Sequence, residues 1–546
     1  MIEWAIVSAM ATRRNPLPHL LGRVVTLILL PGLSGALLLL SFPSFDFSAL
    51  AWVGFVPLLF ALGKSPWRTA FGQGWLAGVV FFSGTLSWVV IAMHQYGHVP
   101  LAVSYLVMLL LSSYCALFFG TFAAVLPLVA GKSGWLTVWT APALWVCLEY
   151  VRSHLFSGFP WALLGYSQYH ALSVIQIADI TGVYGVSFIL VLANTVIAKI
   201  LEAIRSRVLV LATEQPLPIP WVTTTLSVGL FAAVIWYGDW HLAPHRDVVN
   251  DPPVRIGLVQ ANVDQSQKWD VAFRRETIDR YERLTMQLTD HSDLVIWPEA
   301  STPFLFEVEV NYRDELLNFV KDHGVPLLFG SPAAMPDKTH NQLRLTNSAF
   351  LVGSNGMVLD RYDKIHLVPF GEYIPLKDVF SFLDKMVVGI GDFFPGNGPD
   401  VMSGPGGRFG VVICFEVIFP DVVRSFVEQG AQYMVTITND AWFGRSSAPY
   451  QHFAMVVFRA VENRVFFARA ANTGISGFID AHGHILRASD IFVEEALTGE
   501  IRAAGPQSVY TAYGDVFAYG CGILTLLALV WRPAPKAPIL RRPHAR

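Results

Sequence analysis

Residues 408–438, RFGVVICFEVIFPDVVRSFVEQGAQYMVTIT, decide how the soluble part of this 546-residue chain folds. Residues 408–413 read as a short buried strand, 421–429 as a helix, and 433–438 as a second β-branched strand. A strand, a helix and a strand in immediate succession point to a layered α/β domain. Cys414 closes the first of these strands, and it is the only cysteine between residues 253 and 502. The other three, Cys115, Cys147 and Cys521, lie in long apolar runs, where a thiol behaves as a small hydrophobe.

Working outward, the same alternation runs from residue 253 to residue 502. The sequence predicts an opening strand at 253–263, a helix at 273–288 and a short buried strand at 294–297 that ends on Pro298-Glu299. A helix at 314–322 and a strand at 326–329 follow. Strands at 348–352 and 357–362 flank Gly353-Ser354-Asn355-Gly356, a hairpin signal.

Around this domain the composition changes. Of the whole chain 53% is hydrophobic and 14% charged, against roughly 25% charged residues in soluble domains. This is a membrane protein with a soluble part. The net charge of -3 gives no sign of a nucleic-acid partner, and no CxxC pair, zinc spacing or P-loop occurs, so neither a metal nor another cofactor is expected. Eight apolar runs qualify as expected transmembrane helices, at 24–42, 50–62, 70–93, 101–130, 135–151, 175–203, 221–237 and 516–531. The first is read as an anchor, because further spans follow it at once. The expected division is a transmembrane domain over 1–245 with seven helices, a catalytic domain over 250–505, and a last helix with a basic tail over 510–546.

Basic residues set the expected orientation. Arg13, Arg14 and Arg23 precede the first span, Lys64 and Arg68 separate the second and third, and Lys132 the fourth and fifth. Lys199, Arg205 and Arg207 lie between the sixth and seventh, and Arg532, Lys536, Arg541, Arg542 and Arg546 follow the eighth. The alternate loops carry only Arg152 as a clear exception. By the positive-inside bias both termini are cytoplasmic and the 253–502 domain lies outside, in the periplasm of a bacterium. An unpaired thiol in an oxidising compartment suggests function over structure.

Three polar residues fall at or near strand ends: Glu299 after LVIW-P, Lys364 after VLDRYD, and Cys414 after GVVI. A strand supplies rigidity there and the following loop supplies access. A free thiol, with a pKa of about 8.5, is only a few per cent thiolate at neutral pH and needs help. Glu299 suits a general base, and Lys364 suits a fixed cation for an oxyanion, with the Phe415 N–H as a second donor. Glu372 and Glu416 are the carboxylates placed to orient Lys364.

The motifs WPE at 297–299, RYDKIHLVPFGEYIP at 361–375, CFE at 414–416 and TNDAWFG at 438–444 resemble the Glu-Lys-Cys triad of the nitrilase superfamily. With the flanking spans, and with GFPW at 158–161 and LGYSQ at 164–168, the context resembles the apolipoprotein N-acyltransferase family. Phe415 departs from the tyrosine that this family often carries. The resemblance implies an αββα nitrilase-like domain outside the membrane, Glu299, Lys364 and Cys414 as the catalytic triad, and Glu372 as a required carboxylate. It implies a phospholipid acyl donor, with phosphatidylethanolamine preferred, and a thioester on Cys414. The acceptor it implies is the N-terminal amine of a diacylglyceryl apolipoprotein. A monomer in the bacterial inner membrane is expected.

Candidate substrate-binding residues are Trp269, Trp161, Tyr166, Gln168, Asn439 and Trp442, with Phe443 beside them. Residues 380–394, FSFLDKMVVGIGDFF, read as an apolar loop suited to lipid or to covering a tunnel. Two rivals stand beside this reading. A membrane-anchored carbon-nitrogen hydrolase shares the triad but has no need of the spans. A lipid-binding or transport protein has no need of the triad.

Overall fold

The structure, a computed structural model, describes residues 21–63, 65–129, 136–208, 221–243, 252–337, 342–374, 393–503, 505 and 507–530. Among them, α1 (Leu21–Leu40), α4 (Leu101–Val129), α6 (Val183–Val208) and α7 (Trp221–His241) are long and apolar enough to cross a bilayer. A fifth crossing comes from α3 (Trp67–Thr85) if it is joined with Trp88–Tyr96, to which it is bent by 50°. These helices leave large apolar side chains such as Leu106, Leu110 and Val228 exposed, as a lipid-facing surface requires. Where α3 meets α4 the backbones touch. A Cβ on Gly74 would overlap the Phe119 carbonyl, and one on Gly78 would lie 2.8 Å from Ala116 Cα. Small residues four apart allow such close packing between membrane helices.

The other expected spans differ from the expectation for local reasons. Run 50–62 becomes a 3-10 turn and the seven-residue helix α2 (Val56–Leu62), too short to cross. Run 135–151 becomes α5 (Thr137–His154), which carries the buried Glu149 and Arg152 and is enclosed by its neighbours. Run 175–203 breaks at Gly182, whose φ of 63° suits glycine, before α6 begins. The last run forms α12 (Val516–Val530), 15 residues long. Arg13, Arg14, Lys64, Lys132, the tail beyond residue 530 and nearly all of the 380–394 loop lie outside the described residues.

The soluble domain is a sandwich of two six-stranded mixed sheets. The first runs in the order β12-β1-β2-β3-β4-β5 and the second β11-β10-β9-β8-β7-β6. Their strands are β1 (Val254–Gln260), β2 (Leu294–Ile296), β3 (Leu327–Asp337), β4 (Gln342–Val352), β5 (Val358–Asp363), β6 (Met402–Gly404), β7 (Gly407–Ile413), β8 (Tyr433–Thr438), β9 (Phe467–Ala471), β10 (Gly477–Ile479), β11 (Ile485–Ala488) and β12 (Glu495–Ile501). Side chains alternate across each strand and so divide between two layers. Ile256, Leu258, Leu294, Ile296 and Leu351 face the second sheet and share one core with Val411, Ile413, Val435 and Ile437. Val259, Val295, Trp297, Phe329 and Phe350 face outward, against α8 (Arg274–Met286) and α9 (Val310–His323) through Ile278, Tyr281, Leu316 and Val320. The second sheet is covered on its outer face by α10 (Pro420–Glu428) and α11 (Ala448–Asn463). The layers are therefore αββα.

The strand–helix–strand reading of 408–438 is borne out: β7, α10 and β8 follow it within two residues at each boundary. Helix α11, which the alternation argument did not identify, is buried along almost its whole length. One side of it lies on the second sheet. The other meets the membrane half, where Trp161 Nε1 donates to Gln451 Oε1 at 2.7 Å and the Val183 N–H donates to Glu462 at 3.0 Å.

Candidate active site

The site lies between the two sheets, at the ends of β2, β5, β7 and β8. Residues 298–301 leave β2 in a turn wedged against β3: Gly330 N donates to Pro298 O, and Ser301 N donates to Gly330 O. A Cβ on Gly330 would come within 2.7 Å of Glu299 Cα, so this contact needs glycine. Glu299 is buried, and both of its carboxylate oxygens are held. Asn347 Nδ2, on β4, donates to Oε1 at 2.7 Å, and the Asn439 backbone N–H, just past β8, donates to Oε2 at 2.9 Å.

Lys364, one residue past β5, is 1% exposed. Its Nζ donates to Glu372 Oε1 at 2.9 Å and lies 3.7 Å from Glu299 Oε1. Burial works against the ammonium, but Glu372 and Glu299 outweigh it and hold Lys364 above its ordinary pKa. Asn347 Nδ2 also donates to Glu372 Oε1, at 2.8 Å, so one amide bridges the two carboxylates that flank the lysine. The Val368 N–H donates to the other oxygen of Glu372.

Cys414 is the first residue after β7, with φ at 54°, in the left-handed region that a β-carbon disfavours. This sharp turn presents the side chain between the sheets. Burial and the Glu299 charge push the thiol up, and Lys364 recovers only part of that rise, so the resting group is a neutral thiol. For such a thiol to act as a nucleophile, a base would have to take its proton.

The supporting residues have distinct tasks. Glu416, buried completely, accepts from Tyr362 OH and from the backbone N–H groups of Ile365 and His366 with one oxygen, and from Ile413 N–H with the other. It stitches the segment after Lys364 to the residue before Cys414 and makes no hydrogen bond to Lys364. Burial raises it to about 7 against the pull of Lys364 and these donors. Phe415 is half-buried, its ring edge-on to Phe419 at 5.2 Å. Asn439 is held by Gln265 and Asn472, which fixes the N–H that it gives to Glu299. Trp269 is half-buried on the loop after β1, and Trp442 packs edge-on to Tyr96 of the membrane half at 6.0 Å.

Three of the candidate substrate residues are differently placed. Trp161 is fully buried in the joint between the halves, stacked on His452 and bonded to Gln451. Tyr166 accepts from Arg459 Nη2, and Gln168 bonds Trp52 and the Ser48 carbonyl. Their polar atoms are engaged in packing the membrane half, and the structure does not bring Tyr166 or Gln168 to the triad.

Sequence reasoning missed three buried groups at the site, Lys268, His452 and Asn347. Lys268, 2% exposed, donates from Nζ to the Glu299 carbonyl at 3.1 Å, and burial lowers it to about 8. His452 on α11 places Nε2 3.2 Å from the Cys414 carbonyl. Neither Lys268 nor His452 has a signal in spacing alone. Asn347 did have one, as a polar residue inside the strand LRLTNSAFLV. Among the described residues no cluster of His, Cys, Asp and Glu is arranged to hold a metal.

Comparison with known proteins matches two families along the chain. Residues 34–196 match the apolipoprotein N-acyltransferase N-terminal domain, and residues 255–510 match the carbon-nitrogen hydrolases. An apolipoprotein N-acyltransferase of Geobacter metallireducens is 44% identical over 92% of this chain and 94% of its own. Those of Pasteurella multocida and Haemophilus influenzae are each 31% identical, over 90% and 91% of this chain and 93% and 92% of their own. Among solved structures, an amidase from Nesterenkonia sp. is 21% identical with a TM-score of 0.35, covering 46% of this chain and 90% of its own. With membrane helices, a carbon-nitrogen hydrolase domain and relatives matched nearly end to end, the chain is an acyltransferase that belongs to the apolipoprotein N-acyltransferase family.

Proposed function

We propose that this enzyme moves a fatty acyl chain from a phospholipid, phosphatidylethanolamine by preference, through a thioester on Cys414 to the N-terminal amine of a diacylglyceryl-cysteine on an apolipoprotein. The observation that carries this reading is a free, half-buried thiol in one site with a doubly held carboxylate and a buried ammonium, in a domain packed onto apolar helices.

In the first half-reaction Glu299 takes the Cys414 proton while Sγ attacks the ester carbonyl carbon. Negative charge forms on the carbonyl oxygen, and Lys364 and the Phe415 N–H are the groups to stabilise it. Collapse breaks the C–O bond, and the departing lysophospholipid hydroxyl takes the proton back from Glu299. In the second half the acceptor amine attacks the thioester, its surplus proton passes to Glu299, and the C–S bond breaks to regenerate the thiol. An α-amine has a pKa of about 7.7–8.0, so a neutral nucleophile is available near neutral pH. Lysophospholipid leaves before the amide forms, which is ping-pong behaviour. The same reading has eight spans, both termini in the cytoplasm, the catalytic domain on the periplasmic face of a bacterial inner membrane, and a monomer that works without a cofactor.

The test is to incubate wild-type and Cys414→Ser proteins with alkyne-tagged phosphatidylethanolamine and then treat them with neutral hydroxylamine. The expected result is a hydroxylamine-labile adduct on wild type alone, discharged as an N-acyl product by a diacylated lipopeptide with a free N-terminus. A folded wild-type protein that takes no label overturns the reading. Release of free fatty acid with no N-acyl product would instead mark a hydrolase.

A further inference from the structure

Cys414 holds a conformation that a β-carbon disfavours, and such a residue keeps it only when its surroundings over-determine it. One side of that constraint is Glu416, bonded to the N–H of the preceding Ile413. The other side is the Cys414 carbonyl, and the group that meets it is His452 Nε2 at 3.2 Å. His452 is 1% exposed. Its Nδ1 lies 3.1 Å from Arg469 Nη2 and 3.0 Å from Asp440 Oδ1. Arg469 also bonds Asp440 Oδ2 at 2.7 Å, and Thr438 donates to Asp440 Oδ1. The Cys414 carbonyl can only accept, so Nε2 carries the proton that is given to it, while Nδ1 faces both the Arg469 N–H and the Asp440 carboxylate.

The second constraint on the ring comes from the membrane half. Trp161 stacks on His452, with ring centres 5.8 Å apart and planes at 29°, and bonds its helix neighbour Gln451. The loop that carries Trp161 is itself fastened to α5. Arg152 donates to the carbonyls of Phe159 at 2.8 Å and Trp161 at 2.7 Å, and Glu149 accepts from the Leu164 N–H at 2.7 Å.

We propose that His452 is a positioning residue for Cys414: it holds the carbonyl of the nucleophile's turn and, through Trp161, makes the geometry of that turn depend on the membrane half. His452 is not the base, since its Nε2 faces a main-chain oxygen. Trp161 and α5 then act on the chemistry without touching substrate. This rests on Cys414 being the acylated residue.

The experiment uses the full chain in phosphatidylethanolamine vesicles doped with the alkyne-tagged lipid, and measures thioester formation against lipid concentration. A glutamine amide reaches the place of Nε2, whereas an asparagine amide reaches only that of Nδ1. His452→Asn is therefore expected to lower the maximum rate by about 10²-fold, the order seen when a reacting group is misplaced by about 1 Å. His452→Gln should recover most of that loss, and both should leave the half-saturating lipid concentration unchanged. Trp161→Ala should give a smaller fall in the same maximum rate. Equal rates for the Gln and Asn variants, or a Trp161→Ala protein that changes only the half-saturating concentration, would overturn the proposal. If wild type itself takes no label, the acyl-enzyme reading fails and this proposal falls with it, an outcome distinct from a labelled wild type whose variants behave alike.

Discussion

The two sheets contribute to the site in different ways. From the first sheet come Glu299, Asn347 and Lys364, linked to one another and to Glu372 by side-chain bonds of 2.7–2.9 Å and an ion pair of 3.7 Å. From the second come Cys414 and Asn439, which are placed through main-chain groups: the Ile413 N–H on Glu416, the Cys414 carbonyl on His452, and the Asn439 N–H on Glu299. The first sheet thus sets the charge of the site, and the second sets where the sulfur stands. Changes on the first sheet should act on proton transfer, and changes on the second should act on geometry.

The sharpest way to test this division is Glu299→Gln. It keeps the shape and an acceptor for Asn347 but removes the proposed base and turns an amide NH2 toward the Asn439 N–H, so thioester formation should fall by about 10³-fold, within the range for a lost general base, with a loss of about 1–3 kcal/mol of stability from the unpaired donor. A variant that acylates at the wild-type rate would leave proton transfer to some other group. Glu416→Gln comes next, because it cuts the link between the sheets. Four donors converge on this carboxylate, and an amide must turn its own N–H groups toward at least one of them. The expected loss is about 2 kcal/mol of stability from the unpaired buried donors and about 10²-fold in rate from the displaced turn. Thermal unfolding together with the acylation rate checks both. A loss of rate with no loss of stability would place Glu416 in the chemistry and break the comparison.

The sequence made the candidate triad legible more fully than the residues that hold it in place. Glu299, Lys364 and Cys414 announce themselves as polar residues at the ends of apolar strands, and β7, α10 and β8 are written in local periodicity. Trp161, Tyr166 and Gln168 are candidate substrate contacts through the motifs GFPW at 158–161 and LGYSQ at 164–168. In the structure they are buried, and their polar atoms meet partners more than 100 residues away. No periodicity encodes such pairings. His452 escaped for the same reason, in a helix whose every face is covered by some other part of the chain. Among the described residues four helices, or five with the bent pair, are long and apolar enough to cross, fewer than the apolar runs, because a run can also be buried in protein: α5 is sheltered by its neighbours and can carry Glu149 and Arg152.

Lys268 offers the smallest but most discriminating test, because it joins the first sheet's charge to its main chain. Its folded pKa is lowered from 10.5 to about 8 by burial. A folded value below the unfolded one means that the buried charge is unfavourable at pH 7. That penalty, on the order of 3 kcal/mol, is relieved as pH rises from about 8 to 10.5, where the unfolded chain binds the proton and the folded one does not. Wild-type stability should therefore climb across that interval, and Lys268→Met, which has no charge to bury, should lack the climb. At pH 7 the variant gains by losing the penalty and loses by leaving the Glu299 carbonyl without its donor, a cost of about 1–3 kcal/mol. The two nearly cancel, so the melting temperature should barely move while acylation falls about tenfold as the base loosens. A residue that lowers stability and yet supports rate belongs to the working site. Parallel pH–stability curves for variant and wild type would return Lys268 to the ordinary packing of the first sheet.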